Sequence, residues 1–179
     1  CLFLIVGEGP ERNAIHKLAL RLGVFQNIRF IGGLNYREIP DYFAACDIAA
    51  VTSLYEGTCL VLLEAAISGK PIISTKTAGA YDAVLDGQTG YLIDFKDSPR
   101  LAQRIAYLLK NPGLAMRLVE RGRKHILDNF SKDEILKSYP KMWEKTRLAC
   151  RDKTSGSLQR KKIRLTILLK KAGILTYAK

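Results

Sequence analysis

The stretch Ser53-Leu54-Tyr55-Glu56-Gly57-Thr58-Cys59-Leu60-Val61-Leu62-Leu63-Glu64-Ala65-Ala66-Ile67-Ser68-Gly69-Lys70-Pro71 decides how the rest of the chain is read. From Thr58 to Ser68 it predicts a helix, with Gly57 as a flexible lead-in, Thr58 as the N-cap and Gly69-Lys70-Pro71 as the stop. Leu60, Val61, Leu62, Leu63, Ala65, Ala66 and Ile67 fall all round the axis, so the helix is expected to be buried among other elements. Glu64 then stands inside an apolar cylinder, where an ionised carboxylate requires a polar partner. Glu56 lies just ahead of the helix start. The first amides of any helix lack intrahelical partners, and the helix dipole favours an anion beside them. An anion site flanked by two carboxylates suits a ligand bearing both phosphate and hydroxyls. A nucleotide sugar is such a ligand.

Outward from this stretch, strands alternate with helices, which predicts a parallel sheet covered on both faces. The expected strands are 2–6, 27–31, 47–51, 71–74 and 91–93. The expected helices are 11–22, one starting near Ile39-Pro40 and ending at Ala45, 101–110, 115–128 and 132–148. Asp97-Ser98-Pro99 is the start signal for the 101–110 helix. Gly7-Glu8-Gly9-Pro10-Glu11-Arg12 follows the first strand but is not a dinucleotide fingerprint. Arg12 occupies the third glycine's place, and Pro10 prevents the tight approach of helix to strand. This turn, the Ile31-Gly32-Gly33-Leu34-Asn35 loop and the Thr75–Asp82 segment all follow strands, and so collect at the carboxyl edge where open α/β sheets bind ligands. Small residues at Ala78-Gly79 let a backbone come close to its neighbour. The Asp86–Gly90 segment reads as a structural turn before the last strand.

Glu56 and Glu64, with seven residues between them, resemble the E-x7-E signature of retaining GT-B glycosyltransferases of family 4. The likeness runs from Leu4-Ile5-Val6-Gly7-Glu8-Gly9-Pro10 to Phe130-Ser131 and the Tyr139 helix. It implies a Rossmann-like C-terminal lobe of a GT-B fold, lacking its first strand and helix. It also implies a domain over residues 1–150 that binds a nucleotide-sugar donor, followed by a tail at 151–179. By the resemblance Glu64 holds the ribose hydroxyls, while Glu56 and the loop Gly57, Thr58, Cys59 and Leu60 hold the donor sugar and diphosphate. Gly7 and Gly9 line the donor cleft, Gly32 and Leu34 receive the nucleobase, and Gly79 lies in the segment matching the family's Gly-Gly-x-x-Glu. Two departures stand out. Thr58-Cys59 replaces the family's Phe-Gly, and Asp82 replaces its Glu. The implied reaction is sugar transfer to a glycan or lipid-linked acceptor with retention of configuration and without a metal or other cofactor. The acceptor-binding lobe and the Gly-Arg and Lys that clamp the diphosphate are expected ahead of Cys1. The piece alone is therefore expected to be inactive. Two alternatives remain open, a non-catalytic nucleotide-sugar-binding module and a GT-B-related sugar-nucleotide epimerase.

Composition bounds these readings. The 179 residues are 47% apolar and 26% charged, as in soluble globular proteins. Cys1, Cys46, Cys59 and Cys150 show no paired spacing, which points to a reducing cytoplasm and away from a metal site. His16 and His125 stand alone in expected helices and read as surface residues. Neither a signal peptide nor a bilayer-spanning run is visible. The chain opens inside a strand-like run, as a piece of a longer protein would. Its net charge is +12, of which residues 151–179 hold +8, from nine basic side chains against Asp152. Charge gathered in a tail argues against a nucleic-acid partner. There Arg160, Lys161, Lys162, Arg164, Lys170 and Lys171 bracket Ile163, Leu165, Ile167, Leu168 and Leu169, a pattern suited to lying on an anionic membrane surface at the cytoplasmic face.

Overall fold

The computed structural model describes residues 1–152, and the basic stretch beyond Asp152 lies outside the described residues. The architecture is α/β: parallel strands with helices on both faces, in two compact units, Cys1–Ala45 and the chain from Cys46 onward.

The first unit is a βαβ unit closed by a helix. β1 (Phe3–Val6) leads through the Gly7–Glu11 turn into α1 (Arg12–Arg21), and Gly23 turns the chain at a φ of 68°. A short 3-10 turn (Phe25–Asn27) delivers β2 (Ile28–Gly32), parallel to β1. The register slips once, so that Ile5 faces Phe30 but Val6 faces Gly32. α2 (Ile39–Ala45) carries Pro40 in its first turn, where proline's missing amide is harmless.

In the second unit β3 (Ala49–Val51), β4 (Ile72–Thr75) and β5 (Tyr91–Ile93) form a parallel sheet with β4 in the centre. Every residue of β4 is buried, as expected of a central strand flanked by helices. α3 (Leu60–Ile67) follows β3, α4 (Ala78–Ala83) follows β4, and α5 (Ser98–Lys110) and α6 (Pro112–Phe130) follow β5. Ile73, Tyr91, Ile93, Leu108 and Leu118 make the core, with Ile48, Leu101, Ile105, Leu114 and Ala115 packed against it. The Arg104 guanidinium lies 4.0 Å over the Tyr91 ring and closes that side. Asp97 caps α5 by accepting from the Arg100 amide at 3.0 Å, as its sequence indicates. α7 (Lys132–Asp152) continues from α6 past Ser131.

Three sequence expectations are corrected. α3 begins at Leu60 with Cys59 as its N-cap, not at Thr58, because Gly57-Thr58 is drawn into the preceding loop. It is not buried all round: Leu62, Ala65 and Ala66 face the core, while Leu60 is 62% exposed and Val61, Glu64 and Ile67 share its outer side. Glu64 therefore projects from an exposed face that is apolar but for itself, and burial does not force a partner on it. The third correction is α4, a helix in a segment for which the sequence indicates no helix.

Candidate functional site

The Glu56 loop is built from the strand it leaves. Beyond β3, the Ser53 carbonyl accepts a hydrogen bond from the Thr75 hydroxyl at the end of β4. That contact fixes Ser53, whose own hydroxyl donates to Glu56 Oε1 at 2.9 Å. The half-buried Glu56 side chain thus points in a defined direction before any ligand arrives.

The loop backbone is held from the other side by α4. Thr77 caps α4 by accepting from the Ala80 amide at 3.3 Å, and the Gly79 amide donates to the Glu56 carbonyl at 3.1 Å. A Cβ on Gly79 would stand 2.7 Å from the Gly57 carbonyl oxygen and 2.8 Å from the Cys59 nitrogen. The backbone that Gly79 admits so closely is therefore the loop's own.

Cys59 is 2% exposed beneath the start of α3. Burial pushes its thiol above the ordinary value; the Leu62 and Val61 amides oppose this, and the Glu56 and Glu64 carboxylates add to it. Thr58 and Leu60 flank it on the exposed side, and Glu64 stands one turn along the same helix. The second unit thus assembles Glu56, Gly57, Thr58, Cys59, Leu60, Glu64 and Gly79 around one loop and one helix start. A neighbouring strand end carries Lys76, whose ammonium is 2.8 Å from Asp94; that hydrogen bond raises the lysine's pKa.

The remaining expected site residues belong to the first unit. The Gly7 amide donates to the Gly32 carbonyl at 2.8 Å, tying the β1 turn to the β2 loop. Gly32 has a φ of 90°, and a Cβ there would stand 2.7 Å from the Glu8 carboxylate, which also pairs with Arg12. The positive φ is what requires glycine, since the Glu8 carboxylate ends a flexible side chain that can move aside. Gly9 accepts from the Arg12 amide at 3.2 Å at the start of α1, and Leu34 sits half-buried after Gly33. The sequence assigns no role to Ser53 or Thr75 and reads His125 as a surface residue, whereas its ring bonds the Asp82 carbonyl. Only a Ser three residues before Glu56 offered a local signal. Among the described residues no His, Cys, Asp and Glu group is placed to hold a metal ion. No described helix is long and apolar enough to cross a membrane.

Parallel strands joined by helices that cover both faces make this a Rossmann-like α/β fold. Residues 1–125 match the family described as glycosyl transferases group 1, and the chain belongs to that family. It is 33% identical over 135 residues to the lipopolysaccharide core biosynthesis glycosyltransferase LpsE of Rhizobium meliloti, covering 75% of this chain and 39% of that protein. A GDP-mannose-dependent mannosyltransferase of Mycolicibacterium smegmatis is 32% identical over 133 residues, 70% of this chain and 35% of its own length. The chain thus spans under two fifths of these relatives. Among solved structures, HepE of Anabaena in complex with UDP superposes with a TM-score of 0.72 at 25% identity, over 80% of this chain and 41% of HepE.

Proposed function

We propose that the protein to which this chain belongs transfers a sugar, of the hexose type, from a nucleotide-sugar donor to a glycan or lipid-linked acceptor with retention of configuration. The observation that carries this reading is the fixed Glu56: its carboxylate is aimed by Ser53 and its backbone is clamped by Gly79, directly ahead of a helix N-terminus and the exposed Glu64. In this reading the Gly57–Leu60 amides meet the diphosphate, whose charge grows as the sugar departs. Preorganised donors of this kind stabilise such charge without reorganising. Glu56 orients the sugar and Glu64 accepts from the ribose hydroxyls. The Gly7–Gly9 turn and the Gly32–Leu34 loop serve the base. The donor class is supported by HepE, solved with UDP-glucose, and the acceptor class by LpsE, named for lipopolysaccharide core biosynthesis.

The test separates the two carboxylates in the full-length protein. Glu64→Gln is expected to weaken nucleotide binding by about 1.5–3 kcal/mol, the worth of a hydrogen bond to a charged group, in calorimetric titration with UDP, GDP and ADP. Glu56→Ala is expected to lower turnover far more than nucleotide affinity. Unchanged affinity for all three nucleotides in the Glu64 variant makes that residue structural. Donor binding by the wild-type protein without turnover on any acceptor identifies a binding module instead.

A further inference from the structure

We infer that His125, on α6 and outside every segment assigned to the donor, is a positioning residue that holds the Glu56 loop through α4. The inference rests on the reading of Glu56 given above.

His125 Nε2 lies 2.9 Å from the Asp82 carbonyl oxygen. A carbonyl only accepts, so Nε2 carries the proton and donates. The Asn129 side-chain amide, one turn further along α6, donates to the other ring nitrogen at 3.2 Å and to the His125 carbonyl at 2.8 Å. With both ring nitrogens engaged, the orientation of the imidazole is fixed, and the Phe130 ring stands edge-on at 6.1 Å. Asp82 belongs to the last turn of α4, where carbonyls have no partner within the helix and need an outside donor.

α4 is six residues long. Its first turn is bonded to the Glu56 carbonyl through the Gly79 amide, and its last turn to His125. The side chains that seat it are small: Ala80, Ala83 and Val84 are buried, and Gly79 has none. Small groups set how deeply α4 packs but interlock little against sliding along its axis. The hydrogen bond from His125 fixes that axial position, and through it the height of the Glu56 carbonyl. A histidine on α6 therefore acts on a loop 69 positions earlier in the chain without touching it.

The experiment compares His125→Leu, which fills the volume without a donor, with His125→Gln, whose amide nitrogen can replace Nε2. Both are made in the full-length protein. The direct readout is hydrogen exchange at the Gly79 amide, which reports its bond to Glu56; kcat and KM for the donor are measured alongside. The Leu variant is expected to speed Gly79 exchange several-fold and to lower kcat roughly tenfold, with KM within about twofold, as for an interaction felt mainly in the transition state. The Gln variant is expected to recover most of both. Unchanged Gly79 exchange in a folded Leu variant overturns the inference, and so does equal damage by Leu and Gln, which assigns the effect to ring packing. Should the Leu variant not fold, Asn129→Ala, which frees the ring, takes its place: faster Gly79 exchange supports the inference and unchanged exchange overturns it. Wild-type turnover in Glu56→Ala defeats the reading of Glu56 alone, while exchange at Gly79 still decides whether His125 positions that loop.

Discussion

Gly79→Ala puts the architecture of the Glu56 loop to its sharpest test. The added Cβ would meet the Gly57 carbonyl oxygen at 2.7 Å, the Cys59 nitrogen at 2.8 Å and the Gly57 carbonyl carbon at 3.1 Å. Comfortable non-bonded contact between heavy atoms begins near 3.5 Å, so the closest pairs are about 0.7 Å too near. All three obstacles are backbone, and no change of rotamer relieves them. α4 and the loop must separate, which stretches the 3.1 Å bond from the Gly79 amide to the Glu56 carbonyl. Overpacking of a tight site costs about 1–3 kcal/mol, and a lost hydrogen bond about 1 kcal/mol more. With roughly 2–4 °C of Tm per kcal/mol in a domain of this size, the variant is expected to melt about 4–16 °C lower by circular dichroism. Donor turnover should fall with it, since Glu56 moves. Gly113→Ala on α6 is the control, because its Cβ meets nothing within 4 Å, its φ is ordinary and it lies outside the segments assigned to the donor. A Gly79→Ala protein with wild-type Tm and turnover refutes the packing argument outright.

Thr77→Ala removes the cap of α4 and is expected to lower stability by about 1 kcal/mol in urea unfolding, with Thr77→Ser close to wild type. Buried Cys59 should resist alkylation at pH 8 while exposed Cys1 reacts, as mass spectrometry of iodoacetamide-treated protein reads directly. Burial raises the Cys59 thiol pKa, so above the ordinary thiol value of about 8.5 the unfolded chain holds fewer protons than the native one. Stability therefore falls as pH rises through that range, and Cys59→Ala should flatten the alkaline arm of a Tm-against-pH curve.

What could be read in the sequence followed how local each cause is. α5 was legible because Asp97-Ser98-Pro99 carries its own cap, satisfied within three residues. The parallel direction of β3, β4 and β5 was legible because strand-like runs alternate with helical ones along the chain. α4 was not, since Ala78–Ala83 has no apolar period and depends on the Thr77 cap and on burial by distant elements. The exposed side of α3 was misread because Leu60, Val61 and Ile67 resemble core residues in any window of sequence. Glu56 and Glu64 were singled out by their spacing, whereas Ser53, Thr75 and His125 form hydrogen bonds that only the folded chain brings together. Thr75 reaches back 22 residues to Ser53, and His125 reaches 43 to Asp82.

Trp143 is the only tryptophan in the sequence, and it lies 68% exposed on α7, away from the core of Ile73, Tyr91 and Leu108. The chain's tryptophan is therefore an observer of solvent at one helix rather than of the interior. Its emission starts red-shifted and has little further to shift when the sheet comes apart. Unfolding followed by tryptophan emission wavelength alone would show a nearly silent transition, and anything that covers that helix face would announce itself by a blue shift at constant fold.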